Sequence, residues 1–159
     1  MNRQMVNTRF RFDPDLQFHR PELQALMALW QEKRAGRTVP DREDFTVFVL
    51  RPYLARVLIY EWQPQGRFRV RLYGTQISRY SGRDPTGKYL DEILSGEALE
   101  DFNNGLTWAM QHASPLRATG TYYFVDRSFV HFESITMPLT AGSDQITQLL
   151  TVTYFDDEE

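Results

Sequence analysis

The feature that most narrows what this chain can fold into is a change of hydrophobic period at Arg56. From there apolar side chains recur at every second residue: Leu58, Tyr60 and Trp62 alternate with Val57, Ile59 and Glu61, and Phe68, Val70 and Leu72 alternate with Arg67, Arg69 and Arg71. Gln63-Pro64-Gln65-Gly66 separates the two runs with turn residues, so the segment reads as a β-hairpin. Its second strand is apolar on one face and basic on the other. Placing Glu61 on the arginine face gives a cross-strand charge pair and sends Leu58, Tyr60, Trp62, Phe68, Val70 and Leu72 inward.

What surrounds the hairpin fixes the fold class. After Gly74 the pattern predicts short helices over 75–81 and 89–94, then a longer helix over about 97–112. The long helix carries Leu99, Phe102, Leu106, Ala109 and Met110 on one face, with Trp108 opposite. Gly105 in its middle is a local conflict, because glycine costs about 1 kcal/mol in a helix interior. Three strand patterns finish the chain, over 116–124, 129–137 and 146–154, and their short joints predict antiparallel pairing. Ahead of the hairpin, Pro21 opens a helix with Leu23, Leu26, Met27 and Trp30 on one face and Gly36 at its end, and residues 41–45 read as a short capped helix.

Segregated helices and antiparallel strands mean α+β: a five-stranded sheet, a helical cluster on one face, and an N-terminal helix. Residues 21–155 are expected to form one domain, preceded by an arm over 1–20 that docks or stays loose and followed by a solvated acidic tail over 156–159. The N-terminal helix has two candidate places for its apolar face, the outer face of the sheet and the matching helix of a second subunit. The second makes Leu23, Leu26, Met27 and Trp30 the face of a homodimer.

Gly82-Arg83-Asp84-Pro85-Thr86-Gly87-Lys88-Tyr89 satisfies the glycine and lysine spacing of a nucleotide-binding P-loop. Tyr89, however, stands where a Ser or Thr should hold magnesium, and Pro85 removes a backbone donor from the phosphate cradle. The segment before it reads as helix, where a P-loop needs a strand. The expectation is a glycine-punctuated connection between short helices, with Lys88 a solvated side chain.

Absence of cysteine excludes disulfides, thiolate metal sites, cysteine nucleophiles and cysteinyl flavin. The balance of 18 basic and 21 acidic residues, net −3, argues against a general nucleic-acid binder. No apolar run has the length of a membrane span and residues 1–15 lack a signal-peptide core, so a cytoplasmic protein without membrane attachment is expected. His19, His112 and His131 are not paired at ligand spacing, so no metal site is expected. No Gly-x-Ser-x-Gly elbow is present, and Asp91-Glu92 and Glu100-Asp101 are adjacent pairs that face apart on helices, which leaves no catalytic residue to nominate.

Three segments in order carry a family likeness: Leu29-Trp30-Gln31-Glu32-Lys33-Arg34-Ala35-Gly36, then Arg67-Phe68-Arg69-Val70-Arg71-Leu72-Tyr73-Gly74-Thr75, then Gly82-Arg83-Asp84-Pro85-Thr86-Gly87-Lys88-Tyr89-Leu90. Together they resemble a bacterial group of small stand-alone PAS domains, where a W…R…G helix precedes an F-R-Y-R-L-x-G-T strand and a GRDxTGxxLDE segment. The resemblance covers roughly residues 22–155. It implies two strands, a helical cluster and three strands, the order read above. One departure is Val125-Asp126-Arg127-Ser128, where the family tends to have Pro-Asp-Gly.

The resemblance implies a non-enzymatic sensory or interaction module that signals to a separate partner protein. It also implies a small-ligand pocket between the sheet and the long helix, for which Tyr60, Trp62, Leu72, Phe102, Leu106, Met110, Tyr122 and His131 are the candidates; filled core is the other reading of these side chains. Some PAS domains ligate haem through a helical histidine, which makes His112 a candidate beside its plainer role at a helix C-terminus. His131 and Glu133 share one strand face, which lies either inward, as a buried polar pair, or outward under the N-terminal helix. The rival function is a small α+β cone enzyme like those of the nuclear-transport-factor-like superfamily, an isomerase or hydratase. It requires His131, Glu133 or Tyr122 to converge in one open pocket.

Overall fold

The computed structural model describes residues 9–156. Residues 1–8 of the expected arm and 157–159 of the expected tail lie outside the described residues. The elements are β1 (Arg11–Asp13), α1 (Pro21–Arg34), α2 (Val47–Leu50), β2 (Val57–Gln63), β3 (Arg67–Tyr73), α3 (Thr75–Ser81), α4 (Leu90–Ile93), α5 (Gly96–His112), β4 (Leu116–Tyr122), β5 (Arg127–Thr140) and β6 (Ile146–Phe155). The sheet is antiparallel in the order β1-β4-β5-β6-β2-β3, which adds one strand to the five expected. The sixth comes from the arm: β1 pairs with β4, Phe12 opposite Ala118.

The sheet separates two cores. Its inner face meets α3, α4 and α5 through Leu58, Tyr60, Phe68, Val70, Leu149 and Phe155. Its outer face, with Val57, Ile59, Ile135, Met137, Leu150 and Val152, is covered by α1 and the segment carrying Val39, Phe45 and Leu50. Alternation along each strand assigns successive residues to opposite cores.

This outer layer corrects the expected dimer face. Leu23, Leu26 and Trp30 are fully buried against the chain's own sheet, Met27 partly, and the Trp30 indole N–H donates to the Pro138 carbonyl at 3.1 Å. Of the two places open to the α1 face, the chain takes its own sheet, where α1 and the outer faces of β2, β5 and β6 remove one another's apolar surface from water. Ala35, ahead of Gly36, takes the left-handed conformation that ends the helix.

The hairpin holds one surprise. Glu61 sits opposite Arg69 as expected, and Trp62 opposite Phe68, but a β-bulge between Ile59 and Tyr60 leaves Arg71 as an extra residue on β3. Beyond it the alternation is inverted, so Tyr73 turns toward the inner core and Leu72 lies outside it, 37% exposed.

The Gly82–Tyr89 segment has a structural task. The Val70 N–H donates to the Lys88 carbonyl at 2.8 Å and the Gly87 N–H donates to the Val70 carbonyl at 2.7 Å, so this loop pairs with the free edge of β3. An unpaired strand edge invites association with other chains, and the loop removes that liability. Asp84 shapes the turn by accepting from the Thr86 N–H at 3.1 Å, and Arg67 grips Asp91 through two bonds of 2.8 and 2.7 Å while stacking over the Tyr89 ring. Lys88 is exposed. Lys88→Ala should therefore change the unfolding free energy by less than about 0.5 kcal/mol, and ATP titrated into either protein in a calorimeter should give no binding heat.

Candidate functional site

A cavity of about 50 Å³ lies between α5 and the inner face of the sheet. Tyr60, Phe102, Leu106, Tyr122 and Phe132 form most of its apolar wall. Its floor is different. Ser134 and Thr136 of β5 stand opposite Thr153 and Thr151 of β6, and all four line the cavity. The Thr136 and Thr151 hydroxyls are 3.0 Å apart and share a hydrogen bond. Burying hydroxyls in a core costs free energy unless they are partnered, and Val or Ile would pack the same strand positions more favourably.

Four of the eight pocket candidates line this cavity: Tyr60, Phe102, Leu106 and Tyr122. The other four are placed elsewhere. Trp62 packs on Phe68 at the hairpin end, and Met110 flanks the inner core from outside the cavity wall. Leu72 is turned away by the bulge, and His131 opens onto the opposite side of the sheet. Burial drives the phenols of Tyr60 and Tyr122 well above their ordinary range, with neighbouring tyrosines adding to the shift, so both stay neutral hydrogen-bonding groups.

The arm completes the cavity. Phe10 and Phe12 line it, and Phe10 lies edge-on to Phe102 and Phe132 at centroid distances of 5.1 and 4.9 Å. Gly105 of α5 is explained here, because a Cβ at that position would stand 2.7 Å from the Phe12 ring. Gly120 of β4 makes the matching space for Phe10, whose Cδ1 would lie 3.0 Å from an added Cβ. Arg9 anchors the segment on α5, pairing with Glu100 at 2.9 Å and with Asp101, which is buried and also accepts from the Tyr123 hydroxyl at 2.6 Å.

On the other side of the sheet is a cleft of about 470 Å³, bordered by Arg11, His19, Arg20, Arg117, His131 and Glu133. Glu133 is its buried centre. One carboxylate oxygen accepts from the His19 N–H at 2.9 Å and the Arg117 Nε at 2.7 Å, and the other accepts from the Arg20 N–H at 3.0 Å. Burial raises the carboxyl's pKa, but these bonds outweigh it and hold the group below the ordinary glutamate range. His131 and Glu133 thus face outward from the inner core, with Tyr122 on the opposite side, and the convergence that the cone-enzyme reading requires does not occur. His112 lies at the exposed end of α5, stacked on Trp108 at 4.1 Å with its Nδ1 2.9 Å from the Trp108 carbonyl oxygen, and does not line the cavity. Among the described residues no group of three or more His, Asp or Glu side chains gathers as a metal site would require.

The site is thus a small cavity between the inner face of a six-stranded antiparallel sheet and the longest helix of its cover. The chain belongs to the PAS domain family, whose model matches residues 18–153. The fold is shared with a solved RNA-binding light-oxygen-voltage receptor, 11% identical, at a TM-score of 0.54; the match covers 92% of this chain and 38% of the receptor. A domain of an HTR-like protein from Haloarcula marismortui is also similar, at 14% identity and a TM-score of 0.45, over 63% of this chain and 97% of that one. No curated protein sequence matches the chain.

Proposed function

We propose that the chain is a non-enzymatic PAS sensory module that takes a small ligand in the cavity under α5 and passes its state to a separate protein. One observation carries the ligand reading: the Ser134, Thr136, Thr151 and Thr153 hydroxyl row on the floor of a cavity whose other lining is aromatic and aliphatic apart from Asp101. A space of about 50 Å³ has room for only a few water-sized groups, so the ligand is compact, with one or two hydrogen-bonding atoms toward the hydroxyls and an apolar body toward Phe102 and Phe132. Catalysis has no place in the proposal, since the acid and base candidates are divided by the sheet and Glu133 already accepts three hydrogen bonds.

The dimer part of the reading changes place. With Leu23, Leu26 and Trp30 spent on the chain's own sheet, a second copy has to meet it on another surface. No described helix is long and apolar enough to cross a membrane.

Native mass spectrometry of the purified chain, with a thermal-shift panel of isopropanol, acetone and acetamide as probes of matching size, tests the ligand. A bound mass or a raised Tm is expected, and Thr136→Val with Thr151→Val should weaken that binding about tenfold, the worth of one to two lost hydrogen bonds. A wild-type chain that carries no mass and answers to none of the three probes sinks the ligand reading.

A further inference from the structure

We propose that the groove between α5 and β4 is a strand-addition site for an extended Arg-aromatic-x-aromatic segment of a partner protein. In this reading Arg9-Phe10-Arg11-Phe12 is the chain's own resident copy, held there until it is exchanged. The inference does not depend on a small ligand in the cavity.

The groove has the parts that recognise such a segment. Its backbone partner is the outer edge of β4, where Arg11 faces Thr119 and Phe12 faces Ala118 in antiparallel register. Its side-chain receptors are two positions without a Cβ, Gly105 of α5 under Phe12 and Gly120 of β4 under Phe10, which receive side chains two residues apart on one strand face. Its charge receptor is an acidic group on α5: Glu97 at 3.7 Å from Arg9, Glu100 at 2.9 Å, and the buried Asp101. A buried carboxylate on an apolar helix face is costly without a cation, so Asp101 makes arginine at the first position a requirement. Main-chain pairing, pockets for alternate side chains and one charged anchor are the elements of recognition by strand addition.

The resident segment is also built to leave. β1 is only three residues long, Phe12 remains 37% exposed, and two of Arg9's three acidic partners, Glu97 and Glu100, are open to water, where ion pairs contribute about 0–1 kcal/mol; the strong hold is the buried Asp101, whose charge an incoming arginine would satisfy in Arg9's place. Release would stop at a defined point. The His19 and Arg20 N–H groups are held by Glu133, so α1 stays on the outer face while residues 9–12 move. A tethered arm has an effective concentration in the millimolar range, which suppresses a free competitor until the arm is weakened.

The test titrates a fluorescein-labelled peptide, Arg-Phe-Arg-Phe-Asp-Pro-Asp, against the full chain by anisotropy. The triple variant Arg9→Ala, Phe10→Ala, Phe12→Ala is expected to bind it at least tenfold more tightly than wild type does, and adding Gly105→Leu should abolish the gain. Equal affinity for wild type and triple variant, or binding indifferent to Gly105→Leu, overturns the proposal. If the triple variant loses its native circular dichroism, Arg9→Glu replaces it, keeping both phenyl groups while setting like charge against Asp101. Amide exchange at residues 11–13 should then quicken at least tenfold with β5 and β6 unchanged, and exchange unaffected by that substitution overturns the proposal too. Sedimentation examines the remaining occupant: a wild-type dimer that the triple variant loses would mean arms swapped between two copies, against a separate partner's segment.

Discussion

Trp30→Ala is expected to lower the unfolding free energy by about 3–5 kcal/mol, the range for truncating a large buried aromatic. The side chain is 2% exposed, packs among Leu23, Leu26, Met137 and Leu139 in the outer core, and donates its indole N–H to Pro138. The loss therefore has two components, a cavity and a carbonyl left without its donor. Trp30→Phe separates them, since it keeps most of the volume and should cost about 1–3 kcal/mol through the orphaned acceptor. Urea unfolding followed by circular dichroism reads both. Because the cost arises within one chain, it should not vary with protein concentration; a midpoint that rises with concentration in wild type and not in the variant would return Trp30 to a subunit interface.

Glu133→Ala has a comparable expected cost, about 3–5 kcal/mol, because removing one member of a buried pair leaves the other with only the more distant Asp13 as counter-charge. Arg117 is only 12% exposed and bonds both Glu133 and Asp13, so its charge would stay in a poorly hydrated place. The His19 and Arg20 N–H groups lose their acceptor at the same time, which loosens the entry to α1. The pH dependence gives this prediction a signature. Glu133 is depressed in the folded state, so its contribution is fully present above the unfolded value of about 4.3 and disappears as pH falls through the lower folded value. The stability gap between wild type and Glu133→Gln, measured by urea titration, should be largest near neutrality and shrink on acidification toward pH 3. A gap that stays constant over that range would show that the carboxylate's charge is not what holds the site.

Long-period information in the sequence translated well into architecture, and single-residue events did not. The hairpin, the helical cluster and the three closing strands each have enough residues for a period to be counted. Leu72 fails because one bulged residue, Arg71, inverts the face of everything beyond it, and no alternation rule anticipates an insertion. Docking is one of the two outcomes expected of the arm, but that it docks as a strand is not legible, since three residues are too few to show a period at all.

A usable signal did exist, in two places where the local pattern contradicted itself. Gly105 in the middle of a helix marks the approach of another group, and Phe12 is that group. Asp101, beside Glu100, illustrates the second. Adjacent helical residues do face apart, and that same geometry turns one of the two acids inward, where it meets Arg9 and Tyr123. The hydroxyl row was invisible because Ser and Thr are common in strands on either face, and only pairing of β5 with β6 brings the four into register. That His131 and Glu133 share one face follows from alternation alone, whereas which face that is depends on α1 docking above them.

The two ends of the sheet are closed by unequal means. At β3 the Gly87–Lys88 loop is part of a continuous, side-chain-braced turn; at β4 the closure is three residues of an arm. Self-association at high concentration is therefore expected to begin at the β1–β4 end. Any excursion that lifts β1 leaves a row of bare amides and carbonyls beside two vacated aromatic sites, and two such molecules meeting edge to edge form a pair at a rate second order in protein. Storage loss should scale with the square of concentration, and deleting charge at Arg9 should shorten shelf life far more than any change at Lys88.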